Sequence, residues 1–265
     1  MCESVISNLN KSYDGIIVTH GTDTLQYSAA ALGYTIGNNS IPICIVSSNY
    51  PIEHQSANGI ENLHGAVKFI EQSAGKGVWV IYKNPNDTVK AHRATRLIAS
   101  QPYSDCFYSV YNSYYGEFDN NFNFVKNPCF SEEKDEIQPL SCSNLKKTST
   151  SILRIEPYPG MAYPKLNDEI KYILHGSFHS GTINTKSEEA ISFYNEAKQL
   201  GIRIYVTGVS QGESYESTKL FEDFDIIPLP TASPIAMYVK LWLCHKSETT
   251  DNINMFKSLA GDIIS

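Results

Sequence analysis

An α/β fold follows from three observations on the sequence. Short apolar runs bounded by turn residues recur at 15–18, 41–46, 78–82, 152–155, 172–174 and 202–206, each of a length suited to a buried strand of a parallel sheet. Between them, residues 28–36, 57–71, 187–200 and 234–243 place apolar side chains three and four apart, which gives each helix one face for a sheet to cover. The two patterns alternate along the chain, and alternation is the mark of α/β architecture.

Taken in order, the first strand, Gly15-Ile-Ile-Val18, runs through a small-residue turn into the helix at 28–36. The strand at 41–46 feeds the helix at 57–71, and Val78-Trp-Val-Ile-Tyr82 closes this first set. From Lys83 to Thr150 the rhythm weakens into an aromatic, Asn-rich stretch. It ends in the charged run Ser131-Glu-Glu-Lys-Asp-Glu136 and the polar run from Ser141 to Thr150, which reads as an exposed connection. A second alternation starts at Ser151. The expected organisation is a larger N-terminal domain over 1–130, with a mostly parallel sheet flanked by helices, then a linker over 131–150 and a smaller C-terminal α/β domain over 151–265. No internal repeat interrupts it.

Composition removes several function classes. The chain has 265 residues, 42% hydrophobic and 18% charged, the balance of a globular protein with room for a sizeable core. No apolar run reaches the length needed to cross a bilayer, so no membrane partner is expected. With 21 Lys+Arg against 28 Asp+Glu the formal net charge is −7, which disfavours binding to nucleic acid through phosphates. The six cysteines are scattered with no C-x-x-C pair, so neither a zinc knuckle nor a disulfide framework is expected and a reducing cytoplasm fits best. Met1 to Asp14 is polar and has no secretory apolar core.

The most informative local string is Gly15-Ile-Ile-Val-Thr-His-Gly-Thr-Asp-Thr24, a strand running through a turn into a helix. In open α/β sheets ligands sit beyond the carboxyl ends of the strands, where the next helix offers unpaired N–H groups and the positive end of its dipole. Thr22 and Asp23 lie at that point. Either could simply cap the helix, and the local pattern leaves both readings open.

The stretch from Asp14 to Thr24 resembles the second signature of the bacterial L-asparaginases. Further similarity follows in chain order: Ile41-Pro-Ile-Cys-Ile-Val-Ser-Ser-Asn-Tyr-Pro51, Ser56-Ala-Asn-Gly59 with Asn62-Leu63, then Ile155-Glu-Pro-Tyr-Pro-Gly160, His175-Gly-Ser-Phe-His-Ser-Gly-Thr182, and the ending from Ile226 to Leu243. The resemblance implies hydrolysis of L-asparagine to L-aspartate and ammonia. It assigns catalytic roles to Thr22, Asp23 and Arg96, the last standing where the family has a Lys. Substrate contacts fall to Gly21, Thr22, Asp23 and the backbone of Ser48. Asp23 would also hold the substrate's ammonium. A small amide substrate, no cofactor, no metal and a homodimer or homotetramer are implied with it.

Several positions depart from the family. The earlier Thr-Gly-Gly-Thr segment, which holds the family's principal nucleophile, and the flap that follows it have no counterpart, so the chain reads as starting within the first domain. Arg96 stays charged and cannot take a proton from a hydroxyl as a Lys can. Asn58 stands for an Asp and Tyr50 for an Arg, both losses of charge. A second expectation is therefore a catalytically inactive amide-binding or structural relative. A third, the amidotransferase subunit of the same fold, is disfavoured by the acidic balance and by the lack of an appended tRNA-contacting module.

Other motifs carry less. Gly208-Val-Ser-Gln-Gly212 with Asp225 and His245 has the chain order of an α/β-hydrolase triad, but only one strand and one helix fit between Ser210 and His245. His175 and His179 span a strand-to-loop segment, not one helical face, so no metal site is expected there. Tyr108, Tyr111, Tyr114 and Tyr115 could stack on a ligand, although packing at the domain edge is the blander account.

Overall fold

The computed structural model describes residues 1–131, 134–146, 150–209, 216–244 and 255–264. The chain divides into two compact units, Met1–Asn144 with Ile235–Ser265, and Leu145–Pro234. The assignment of all of 151–265 to the second domain is thereby corrected. The final helix and the tail after it return to the first unit, because their apolar residues are buried there. The linker assignment needs the same revision: Leu140 N–H donates to Tyr34 O at 2.8 Å and Glu136 N–H to Ser258 O at 2.8 Å, so this part of 131–150 is docked.

In the first unit α1 (Cys2–Ile6) precedes β1 (Ile16–Thr19), α2 (Leu25–Ile36), β2 (Pro42–Val46), α3 (Gly59–Glu71) and β3 (Gly77–Lys83). The next strands are β4 (Val89–Arg93), β5 (Gly116–Phe118) and β6 (Phe124–Lys126). They form one six-stranded sheet in the order β1-β2-β3-β4-β5-β6. β1, β2 and β3 are parallel, with Val18 opposite Ile45 and Ile45 opposite Val80. β4, β5 and β6 continue as an antiparallel meander that the apolar-run pattern did not announce. α3 covers one face through Ala66 and Phe69, which pack with Cys44, Val46, Trp79, Ile81 and Phe118. Tyr115 stacks on Trp79 at 4.3 Å and meets Phe124 and Phe130, so this tyrosine is packing, whereas Tyr108 and Tyr111 are exposed.

The second unit holds β7 (Ile152–Ile155), β8 (Tyr172–His175), α4 (Glu188–Gln199), β9 (Arg203–Val206), α5 (Glu216–Lys219) and β10 (Ile226–Pro228). Its four strands are all parallel, in the order β10-β9-β8-β7. Ser187 caps α4 by accepting from Ala190 N–H, with Glu188 and Glu189 in the first turn, where carboxylates suit the helix dipole. Ala190, Phe193, Tyr194 and Ala197 bury its inner face against Ile173, Ile204 and Val206. α6 (Pro234–Cys244) leads back to the first unit.

The parallel half of the first sheet sets where a ligand can lie. β1, β2 and β3 end together at Thr19, Val46 and Lys83, and the turns leaving them converge at that edge.

Candidate functional site

At that edge a cavity of about 240 Å³ is lined by Thr22 and Asp23 from the turn after β1, Asn49 from the turn after β2, and Tyr82 from β3. Its remaining wall is the loop after β4, which contributes Ser100, Tyr103, Ser104, Asp105 and Phe107. The volume lies below the roughly 300–1,000 Å³ of sites for drug-sized ligands, and suits a small molecule.

Thr22 is half-buried and Asp23 exposed, immediately before the twelve-residue α2. Capping does not account for them: the N-cap is Thr24, with no side-chain cap bond, and neither side chain bonds another described residue. The hydroxyl and the carboxylate thus stand available at a helix N-terminus. Gly21 precedes them, and a Cβ built on it would meet nothing within 4 Å, so nothing in the chain itself demands glycine there. A ligand lying against the backbone would. His20 donates from Nδ1 to the Gly21 carbonyl at 2.7 Å, while its own N–H donates to Val46 O at 2.9 Å, tying the turn to β2.

The Asn49 turn is held by asparagines. Asn49 N–H donates to Asn58 Oδ1 at 2.9 Å, and Asn58 N–H donates to Asn49 Oδ1 at 3.0 Å. Asn58 Nδ2 also donates to Lys83 O at 2.7 Å, a bond that an ionised Asp could not make because it has no donor. The replacement of the family's Asp by Asn58 is therefore built into this loop. Ser48 turns its hydroxyl away, donating to Tyr50 O at 2.6 Å, and Gly59 must be glycine because a Cβ there would sit 2.7 Å from Ser48 Oγ. Its neighbour Asn49, not the Ser48 side chain, lines the cavity.

The loop after β4 is pinned at its base. Tyr82 OH donates to Asp105 O at 2.9 Å, and Asn84 pairs with Phe107 in both directions, at 2.9 and 3.0 Å. These bonds use the loop backbone and leave the Ser104 and Asp105 side chains at the cavity wall. Burial pushes the Tyr82 phenol above its ordinary range.

Arg96 does not join this group, and its sequence-based catalytic role is corrected. β4 runs antiparallel to β3, with Arg93 opposite Trp79, so it carries the following turn toward the amino ends of the parallel strands. There Arg96 is fully buried, donates from Nε to Gly261 O at 2.7 Å, reaches toward Ile263 O at 3.5 Å, and lies over Phe130 at 4.6 Å. Asn49, Tyr82, Tyr103 and Asp105 are the cavity residues that sequence reasoning missed. The turn-rich Ser100-Gln-Pro-Tyr-Ser-Asp105 between two apolar stretches was the available signal for the loop.

Other candidates resolve elsewhere. Ser210 and His245 lie outside the described residues. His175 is buried, donates from Nδ1 to Gly176 O at 2.5 Å and faces Tyr194 OH at 3.5 Å, which makes it a core histidine whose burial pulls its pKa below the usual value. Among the described residues no three or more His, Cys, Asp or Glu cluster as a metal site would, and no helix is long and apolar enough to cross a membrane.

Comparisons with known proteins bear on the family and the fold. The model of the asparaginase N-terminal domain matches residues 1–130. The D subunit of the glutamyl-tRNA(Gln) amidotransferase from Thermococcus kodakarensis is 24% identical over 96% of this chain and 60% of its own length, so the chain spans about six-tenths of such relatives. An L-asparaginase from the same organism is 39% identical over 26% of this chain and 21% of its own. Among solved structures, the thermostable L-asparaginase from Thermococcus kodakarensis superposes over the whole chain and 80% of its own with a TM-score of 0.73 at 20% identity, which is likeness of fold. With the Thr22–Asp23 turn at the carboxyl edge of its sheet, the chain belongs to the asparaginase family.

Proposed function

We propose that this chain is an amidohydrolase that releases ammonia from L-asparagine and leaves L-aspartate. The observation that carries the reading is the small cavity in which Thr22 and Asp23 stand together before α2, without hydrogen-bond partners for their side chains among the described residues. Thr22 Oγ adds to the amide carbonyl carbon, the carbon–nitrogen bond breaks, and the nitrogen leaves as ammonia with the hydroxyl proton. Water then cleaves the Thr22 ester. Backbone N–H groups of the Gly21–Thr24 turn leading into α2 are the natural donors to the developing oxyanion. Asp23 holds the substrate's ammonium, and Gly21 lets the substrate approach the backbone. A homodimer or homotetramer in the cytoplasm goes with this reading.

A second reading has its own support. The relatives that align with nearly the whole chain, from Thermococcus kodakarensis and Sulfurisphaera tokodaii, are named as amidotransferase D subunits, so the released ammonia could serve a coupled transfer. Ammonia release from L-asparagine and L-glutamine by the purified chain, beside Thr22→Ala and Asp23→Ala, tests both. Turnover of asparagine lost in both variants supports the first reading. Release that emerges only with a second protein supports the second, and binding without release leaves an inactive amide binder.

A further inference from the structure

The cavity that holds Thr22 and Asp23 has a second carboxylate, Asp105, on the wall formed by the loop after β4. Three aromatic rings, Tyr82, Tyr103 and Phe107, line the same space, and among the described residues no Lys, Arg or His does. Lys83 lines a neighbouring cavity that Asp105 also borders, and is ion-paired there to Glu61 at 2.6 Å. Two carboxylates, three ring faces and no cation form a wall that attracts an ammonium group and repels an anion. Tyr103 is itself held in the left-handed region at φ 62, a conformation that costs energy in a non-glycine residue, while its side chain remains fully exposed at the cavity.

From this we infer that Asp105 is a specificity-determining residue: with Asp23 it selects amides that carry an ammonium group and excludes amides that carry only a carboxylate. The inference rests on the amide-binding reading of the cavity and names its substrate class. Asp105 is suited to the role because its backbone carbonyl, not its side chain, anchors the loop to Tyr82. Its carboxylate can therefore be neutralised without releasing the loop.

The test is binding, read by calorimetry or ligand-observed NMR on the chain as it stands, so it does not depend on turnover. Three probes of similar size differ in charge: β-alaninamide is a cation, L-asparagine a zwitterion, and succinamate the anion that lacks the amine. The expected order is β-alaninamide at least as tight as L-asparagine, and succinamate weaker by about tenfold or more, the loss of one charge-assisted contact. Asp105→Asn should weaken the first two by roughly threefold, the scale of an exposed charge pair, without weakening succinamate, and Asp105→Glu should restore part of the loss. Glu169→Gln, an exposed change of equal charge in the second unit, should leave all three affinities alone. If succinamate binds as well as L-asparagine, or Asp105→Asn changes nothing, the ammonium selection is overturned while amide binding stands. If none of the three binds a folded sample, the amide reading falls and the inference falls with it.

Discussion

Two polar regions of the first unit are built on opposite rules. At the carboxyl edge of the parallel strands, the Thr22 and Asp23 side chains bond no other described residue and face a cavity. Around the tail at 257–263, buried charges are engaged instead. Lys240 Nζ and Asp262 Oδ2 meet at 2.7 Å with both side chains fully buried, and Tyr34 OH donates to the same oxygen at 2.9 Å. Asp262 Oδ1 accepts from Leu259 N–H at 3.0 Å, and Lys240 also donates to Lys257 O at 2.6 Å. Arg93 and Thr95 both donate to Ala260 O, and Arg96 donates to Gly261 O. The contrast teaches that charge alone does not mark a functional site. Buried charges are tolerated when they satisfy one another, and groups left without internal partners are the ones with capacity for a ligand.

The sharpest way to break this comparison is to remove one member of the buried pair. Asp262→Ala should cost about 3–5 kcal/mol in urea unfolding, because it strands a buried ammonium and the Leu259 and Tyr34 donors. Little loss would mean that the pair is not what holds the tail.

Arg96 is the decisive residue between the two regions. Arg96→Ala should lower stability by roughly 3 kcal/mol, since carbonyls at Gly261 and Ile263 lose a buried donor, and Arg96→Lys should recover only part. A variant as stable as the parent but devoid of amide turnover would return Arg96 to the chemistry.

Acid should act through the buried side of the comparison. His92 is 1% exposed, bonded through Nδ1 to Ser109 Oγ at 2.9 Å, and burial, with a lesser push from Lys90, lowers its pKa to about 4. The unfolded chain takes this proton near pH 6.5 and the folded chain only near 4. The associated stability is therefore complete above about pH 6.5 and is lost as pH falls from there to about 4, roughly 3 kcal/mol in all. Unfolding midpoints at about pH 7.5 and about pH 4.5, on either side of that window, for the parent and His92→Gln measure it. An equal acid loss in both would remove His92 as the cause.

The smallest effect belongs to the cavity. Thr22→Ala and Asp23→Asn should each shift stability by no more than about 0.5 kcal/mol, because neither side chain supports the fold. Thermal melts showing a larger loss would make the turn structural and blur the contrast.

The strands and helices of the parallel layers were legible because their apolar residues repeat at the period of the element, as in 78–82 and 187–200. The meander of β4, β5 and β6 was not. Its short strands carry aromatic and polar residues, and their pairing is settled by the partners Trp79, Phe118 and Phe124, not by a local period.

Sequence by itself determined the α/β layers, the family, and the Gly21-Thr-Asp-Thr24 turn at a strand's carboxyl end, because each of these is written in contiguous residues. Tertiary structure alone decided that Arg96 belongs to the tail and not to the cavity, that residues from 235 onward return to the first unit, and that Asn49 and Asp105 share a cavity with Thr22. The physical reason is that strand direction and long-range burial act between segments far apart in the chain. β4 folding back antiparallel carries Arg96 toward the Gly261 carbonyl 165 residues later, a pairing with no local trace.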